Sequence, residues 1–565
     1  MTIDRRKVLQ GGAAMGALAL VPRAALALPD AAAPVAKTTA GRVRGRVAGN
    51  GIVCFKGVAY GMDTAKTRFA PPKPPAPWSD VRDAFAWGPR APQVIGARPR
   101  REDAAAVAAR PGYHLPPDEG VESEDCLHLN VWTPALRGSA RDGGKKRPVM
   151  VYIHGGAYSN GTVNAQLYDG ARLARRGDVV VVTVNHRLNS FGYVYLAELA
   201  PGFEDSGNAG QLDLVLALEW VRDNIVEFGG DPSRVLIFGQ SGGGAKCATL
   251  MAQPPAHGLF HRVITMSGQQ VTGASPAHAT ERAKGFLKAL GLDAATPEAR
   301  AQALRTLPMQ KIQEATRAGG YYGPVTDGRS LPRDPFSPTD PAISARVPMM
   351  LGNMHDETRG LMGQPGFFHL TWETLPEALE KNAPYLKSDT VSLPVAEVIA
   401  KYREWHPEYA ASDVFFAVTT DSRSWRGQVI EADRRAADPV AQPRTWVYQL
   451  NWKTPVKTAD GGSYGSPHTL DIPLGLDNVD LAPGMVGNSA EDKVQAQKMA
   501  EVVSETYIAF ARKGSPDNAH APHWPAFDLK RRATMIFDLP PRIEDDPRGR
   551  ERRYLGQVPY VQPGT

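Results

Sequence analysis

Short apolar runs bounded by turn residues recur along the chain, alternating with stretches whose apolar positions return every three or four residues. Six of the runs read as buried strands: "PVMVYIHGG" (Pro148 to Gly156), "VVVVTVN" (Val179 to Asn185), "RVLIFG" (Arg234 to Gly239), "RVITMSG" (Arg262 to Gly268), "VPMMLGN" (Val347 to Asn353) and "TWVYQLN" (Thr445 to Asn451). Between the second and third, Leu214, Leu218, Val221 and Ile225 fall on one face of an amphipathic helix. Strand, helix and strand with continuous apolar runs predict an α/β protein, its mostly parallel sheet covered on both faces. Further on, Ser489 followed by Asp492 starts a long helix through Phe510 that ends near Gly514, and "ATMIFDL" offers one more strand. No repeat and no Gly/Ser linker divides the chain, so residues 34–560 are expected to form one domain. The stretches from Ala274 to Ala345 and from Leu361 to Ala437 are helix-rich and irregular, the character of insertions that lie over strand ends and shape access.

One strand runs straight into a glycine cluster and then an alanine-rich, helix-favouring stretch, "VLIFGQSGGGAKCATLMA". Ser241 sits there as a nucleophile on a sharp strand-to-helix turn would, at the carboxyl end of a strand, where α/β sheets place their ligands. A serine hydroxyl is a weak nucleophile. It needs a base, a group that orients the base, and donors for the developing oxyanion. Gly155 and Gly156 in "HGGAYSNG" supply side-chain-free N–H groups after another strand, and Gly242 supplies one next to Ser241. Tyr158, just past that loop, is the expected pocket wall, with Phe336, Phe367 and Trp425 as the other aromatic candidates.

Where a nucleophile sits on such a turn, the acid and then the histidine follow it in chain order. Of thirteen histidines, His468 in "GSPHTLDIPLG" follows a strand and precedes an apolar segment, as the base should. His520 and His523 read as surface residues, and His355 is too near the acid in sequence. In "VPMMLGNMHDETRG", Asp356 and Glu357 both lie just past a buried strand, and either could orient an imidazole.

Composition narrows the function further. At 565 residues and 42% hydrophobic content the chain can build a large core. Asp4, Arg5, Arg6, Lys7 and Arg23 account for +3 of the formal +6, leaving about +3 on the rest, and no basic block or motif points to nucleic acid. Residues 1–27 combine "DRRKVLQ", the apolar run "GGAAMGALALVP" and "ALA", which reads as a cleaved export signal, with Arg5 and Arg6 resembling the twin-arginine type. A periplasmic or secreted protein is expected. Elsewhere no apolar stretch approaches twenty residues, so no integral membrane segment is expected in the mature chain. Cys54, Cys126 and Cys247 cannot make a disulfide framework, although one Cys54 to Cys126 bridge stays open. With no C-x-x-C, H-E-x-x-H, P-loop or dinucleotide fingerprint, neither a metal nor an organic cofactor is expected.

These features together resemble the type-B carboxylesterases of the α/β-hydrolase superfamily, the group that includes the cholinesterases. The likeness runs from about Thr39 to Asp538 through "FKGVAYG", "RFAPPKPPAPWSDVRDAFAWGPRAPQ", "SEDCLHLNVWTP", "NHRLNSFGYV", "LEWVRDNIVEFGGDPSRVLIFGQSGGG", "LFHRVITMSG" and "WPAFD". It implies an α/β-hydrolase fold and hydrolysis of small-molecule esters through an acyl-enzyme. The implied triad is Ser241, Glu357 and His468, with Gly155, Gly156 and Gly242 as the oxyanion hole, which selects Glu357 over Asp356. Ser267 in "MSG" matches a serine that supports the family's acid and histidine. Two departures stand out: the family's usual cysteine partner for Cys126 is Ala91 here, and Gln240 and Gly242 replace the common glutamate and alanine around the nucleophile.

Overall fold

The computed structural model describes residues 33–93 and 112–563; the export signal expected over residues 1–27 lies outside them. The main sheet contains β1 (Arg46–Val47), β2 (Val53–Ala59), β3 (His128–Thr133), β4 (Arg147–Ile153), β5 (Val180–Val184) and β6 (Gly230–Gln240). It continues with β7 (Arg262–Met266), β8 (Met349–Met354), β9 (Thr445–Leu450), β10 (Ala533–Phe537) and β11 (Arg542–Asp545). The spatial order is β11-β10-β9-β8-β7-β6-β4-β5-β3-β2-β1. From β5 across to β10 every pair is parallel, and the strands beyond that block pair antiparallel. Val35–Lys37, Arg42–Arg44 and Val81–Asp83 form a separate three-stranded sheet.

The strand order places the site. β4 lies between β5 and β6, so the chain leaves β4 to one side and returns on the other, and the loops after β4 and β6 diverge at their carboxyl ends. Such a switch point opens a crevice for ligands. Ile153 at the end of β4 is in register with Gly239 of β6, which brings the two glycine loops side by side.

The helices that matter here are α1 (Ala209–Asn224), α2 (Gly242–Met251), α3 (Glu357–Leu361), α4 (Arg426–Ala437), α5 (Asp471–Gly475), α6 (Ala490–Lys513) and α7 (Gly549–Leu555). Alternate residues of the parallel strands feed two cores. Val149, Val151 and Ile153 pack with Leu214, Leu218 and Val221 of α1 and Cys247 of α2, whereas Met150 and Tyr152 pack with Met499, Val503 and Tyr507 of α6. Each such buried aliphatic side chain stabilises the fold by roughly 1.5–3 kcal/mol. Ser489 and Asp492 form the expected capping box of α6, and Gly514 ends it in the left-handed region at φ 73°. Ile225, expected on the α1 face, instead begins a tighter turn, Ile225–Phe228, that Gly229 terminates.

Several strands are absent from the apolar runs read in the sequence. β1 and β11 are short and partly exposed edge strands, so they need no continuous apolar run. The first insertion forms helices Pro276–Ala289, Pro297–Thr306 and Met309–Thr316, and the second forms Leu375–Asn382, Val395–Trp405 and Ala411–Thr420 before α4, each around its own apolar cluster. All three cysteines are free, so the Cys54 to Cys126 bridge does not form; Cys54 of β2 faces Trp132 of β3. No described helix is long and apolar enough to cross a membrane.

Candidate active site

Ser241 caps α2 with φ 57° and ψ −127°, a backbone conformation that costs an ordinary residue about 1–3 kcal/mol. Its surroundings hold it there. The Ser241 N–H donates to the Met266 carbonyl at 2.7 Å, and its own carbonyl accepts from Ala245 at 3.0 Å. The next two residues leave no room for a side chain: a Cβ on Gly242 would fall 2.1 Å from the Ala157 carbonyl oxygen, and one on Gly243 would fall 2.0 Å from that of Ile153. The glycine cluster therefore seats the start of α2 against the loop after β4.

That loop turns at Gly156 (φ 89°) and Ala157 (φ 53°), and the N–H groups of Ser159 and Asn160 close it onto the Gly156 carbonyl at 3.2 and 3.0 Å. A cavity of about 120 Å³ opens in front of it, lined by Ala157, Tyr158, Ser241, Gly242, Ser267 and His468 among others. A Cβ on Gly155 would fall 2.7 Å from the Gln240 carbonyl oxygen, so this position too admits no side chain. Ala157, which the sequence reading passed over, thus stands at the cavity beside Gly242.

His468 follows β9 and is nearly buried. Its Nδ1 contacts Glu357 Oε2, and its N–H donates to the Glu357 carbonyl at 3.3 Å. Tyr113 anchors the same loop from its hydroxyl to the His468 carbonyl at 3.1 Å. With Nδ1 committed to the carboxylate, Nε2 carries the lone pair and faces Gln240 Nε2 at 3.2 Å.

Glu357 opens α3 fully buried, and its Oε1 accepts from Asn353 Nδ2 at 2.9 Å and the Met354 N–H at 3.0 Å. Burial alone would raise its carboxyl, but the His468 imidazole beside it and the Ser267 and Asn353 side chains outweigh burial and hold it below the usual range. Ser267, at φ 50°, sits close enough to act on that carboxylate without making a hydrogen bond of good geometry. A second buried acid, Asp471 of α5, shows the opposite behaviour: burial and the Glu357 charge push its carboxyl well up. Of the two, Glu357 is the carboxylate in contact with the imidazole.

Asp356 points elsewhere. It accepts from the Ser466 N–H at 2.9 Å and lies 3.2 Å from His355 Nδ1, on the wall of a separate cavity of about 490 Å³. The two acids that the residues alone left open are thus separated by geometry, and only Glu357 meets His468.

Residues 32–554 match the model of the Carboxylesterase family. This chain belongs to that family. It is 32% identical to the para-nitrobenzyl esterase of Bacillus subtilis (strain 168) over 533 residues, covering 92% of this chain and 98% of that protein. Liver carboxylesterase 1F of Rattus norvegicus is 30% identical over 540 residues, 89% of this chain and 90% of that protein. Among solved structures, the Geobacillus stearothermophilus carboxylesterase aligns with a TM-score of 0.75 at 31% identity, covering 92% of this chain and 99% of its own. An esterase of Clostridium hathewayi that can hydrolyse aliphatic aromatic polyesters aligns with a TM-score of 0.72 at 30% identity over 93% of this chain and 98% of its own. The fold is that of the α/β-hydrolases, and the protein is a carboxylic ester hydrolase.

In this carboxylesterase the four aromatics raised as pocket walls separate cleanly. Tyr158 lines the Ser241 cavity, and its hydroxyl donates to Gln270 Oε1 at 2.9 Å. Phe336 belongs to the sheet core, Phe367 stacks on Phe415 at 4.5 Å, and Trp425 lines a different, small cavity. The remaining wall went unread in the sequence: Tyr321 and Arg423 come from the insertions, and Tyr560 and Gln562 from the segment after α7. Gln562 Oε1 accepts from the Val271 N–H at 2.8 Å, which ties that segment over the cavity. His523 is exposed, as expected of it.

Proposed function

We propose that Ser241, His468 and Glu357 act together as nucleophile, base and orienting acid in two-step hydrolysis of small carboxylic esters. The observation that carries this reading is the Glu357 contact to His468 Nδ1, made beside a serine held at positive φ on the end of β6. His468 Nε2 takes the Ser241 Oγ proton as Oγ bonds to the ester carbonyl carbon. The tetrahedral oxyanion is received by N–H groups of the Gly155–Ala157 turn and of Gly242. As the acyl–oxygen bond breaks, the alcohol leaves with the proton from His468. Water then repeats the sequence on the acyl-enzyme, releasing the acid. Ser267 steadies the Glu357 charge, and Gln240 flanks the imidazole with a neutral amide where the family commonly has a carboxylate.

The aromatic wall of Tyr158, Tyr321 and Tyr560 around a cavity of about 120 Å³ favours short or flat acyl and alcohol groups. The same proposal takes residues 34–560 as one hydrolase domain and residues 1–27 as a twin-arginine export signal, so that the enzyme acts in the periplasm or is secreted. Replacing Arg5 and Arg6 by lysine then leaves the protein in the cytoplasmic fraction; unaltered export would refute that part.

The test of the chemistry is hydrolysis of p-nitrophenyl acetate, butyrate and octanoate by wild type and Ser241→Ala. Activity falling from acetate to octanoate, and at least about 10⁴-fold lower in the variant, is expected. Activity that survives the substitution would refute the assignment, and amide analogues of the same acyl groups test whether esters are preferred.

A further inference from the structure

Lys246 lies one turn beyond Gly242 on α2 and is fully buried. Its Nζ donates to the carbonyl oxygen of Ala157 at 2.8 Å and to that of His154 at 3.3 Å. Burial brings its ammonium down to about 7, with only the Cys247 thiol opposing. The titratable groups facing it from other elements are His154 and His186, whose rings stack 4.6 Å apart, and Tyr158, whose ring lies 5.4 Å from Nζ. None is a carboxylate. A buried cation without a counter-charge weakens a fold, so stability is a poor account of this lysine.

Its two acceptors bracket the oxyanion turn. The His154 carbonyl belongs to the peptide whose N–H is that of Gly155, and the Ala157 carbonyl closes the turn's other end. Because peptides are planar, holding the His154 carbonyl fixes the Gly155 N–H and holding the Ala157 carbonyl fixes the peptide that follows, so the Gly156 and Ala157 N–H groups lie on a segment pinned at both ends. The turn needs holding: Gly156 and Ala157 both have positive φ, a conformation an alanine keeps only where neighbours impose it. Even an uncharged Lys246 amine retains two N–H groups for its two carbonyls, so the clamp persists through titration.

We propose that Lys246 is a positioning residue for ester hydrolysis, clamping both ends of the Gly155–Ala157 turn so that its N–H groups stay aimed at the oxyanion. This rests on the reading of Ser241 as the nucleophile. The experiment compares wild type, Lys246→Met and Lys246→Gln in hydrolysis of p-nitrophenyl butyrate. It also compares their inhibition by an alkyl trifluoromethyl ketone and by the matching methyl ketone. The fluorinated ketone adds to the serine and places an oxyanion in the turn, whereas the methyl ketone reports ground-state binding. Lys246→Met is expected to lower kcat roughly 10- to 100-fold and to cut the preference for the fluorinated ketone by a similar factor, with KM changed by about threefold or less. The glutamine, uncharged and shorter but with two N–H donors, recovers part of both losses. With its buried cation gone, Lys246→Met should melt no lower than wild type at pH 6. A folded methionine variant with wild-type kcat and ketone preference would overturn the proposal, as would a loss confined to KM. If the methionine variant does not fold, a glutamine variant with wild-type ketone preference overturns it instead. Failure of the Ser241 reading is distinguishable, because Ser241→Ala would then keep both its esterase activity and its inhibition by the fluorinated ketone.

Discussion

The cavity beside Asp356 encloses about 490 Å³ and the one beside His468 about 120 Å³, yet the smaller one holds the groups fitted for chemistry. In the larger, charges are consumed by one another: Arg548 pairs with Asp421 at 2.6 Å, His406 with Glu551 at 2.7 Å, and Arg359 with Asp413. In the smaller, one carboxylate meets one imidazole whose second nitrogen faces only the neutral Gln240 amide, and the Ser241 hydroxyl and a backbone turn line the same cavity. Consecutive acids divide the two regions, with Asp356 on the larger wall and Glu357 behind His468. On the proposed reading, the arrangement of the groups rather than the size of the cavity marks the reactive site.

The strongest way to break this contrast is to neutralise each acid in turn. Glu357→Gln leaves His468 without its orienting charge and is expected to lower kcat by about 10³- to 10⁴-fold. Asp356→Asn should change kcat by about threefold or less while lowering stability at neutral pH, a loss relative to wild type that fades as the solution is acidified. The sign follows from its lowered carboxyl: the stability it contributes is present above the ordinary carboxylate range and is lost as pH falls toward the folded value. Equal losses of kcat in the two variants would dissolve the distinction.

A smaller effect concerns Glu431 of α4, whose carboxyl burial pushes up to about 8 while it accepts from the Gln270 N–H at 2.7 Å. Here the folded state binds the proton more tightly than the unfolded chain, so stability falls as pH rises from the ordinary carboxylate range through about 8. Glu431→Gln keeps an acceptor for Gln270 and should match wild type near pH 4 but melt several degrees higher near pH 9. Melting curves that differ equally at both pH values would contradict the assignment.

The smallest expected effect sharpens the neighbourhood of His468. Gln240→Glu puts a charge where an amide now lies 3.2 Å from the imidazole. With solvent screening, the acid limb of kcat/KM should move up by about one pH unit. An unmoved limb would show that residue 240 is electrically remote from the base.

What the sequence carried was the machinery built on buried strands. β4 and β6 announce themselves as continuous apolar runs, and glycines mark the turns that follow because close backbone approach excludes a Cβ at Gly242 and Gly243. The choice between Asp356 and Glu357 was not legible from the residues themselves, since both follow β8 and only the start of α3 at Glu357 sends one of them to His468. Resemblance had to supply that choice. Tyr321, Arg423, Tyr560 and Gln562 meet at the cavity through tertiary contacts of irregular segments, which no periodicity encodes. Lys246 reads as an ordinary helical lysine until α2 is seen lying against the turn after β4.

The most direct test is to treat the purified protein with a fluorophosphonate and map the adduct by peptide mass spectrometry. The account predicts a single stoichiometric adduct on Ser241 in wild type, forming far more slowly in Glu357→Gln and at an unchanged rate in Asp356→Asn. A stoichiometric adduct at another residue, or esterase activity that continues with Ser241 fully labelled, would contradict it.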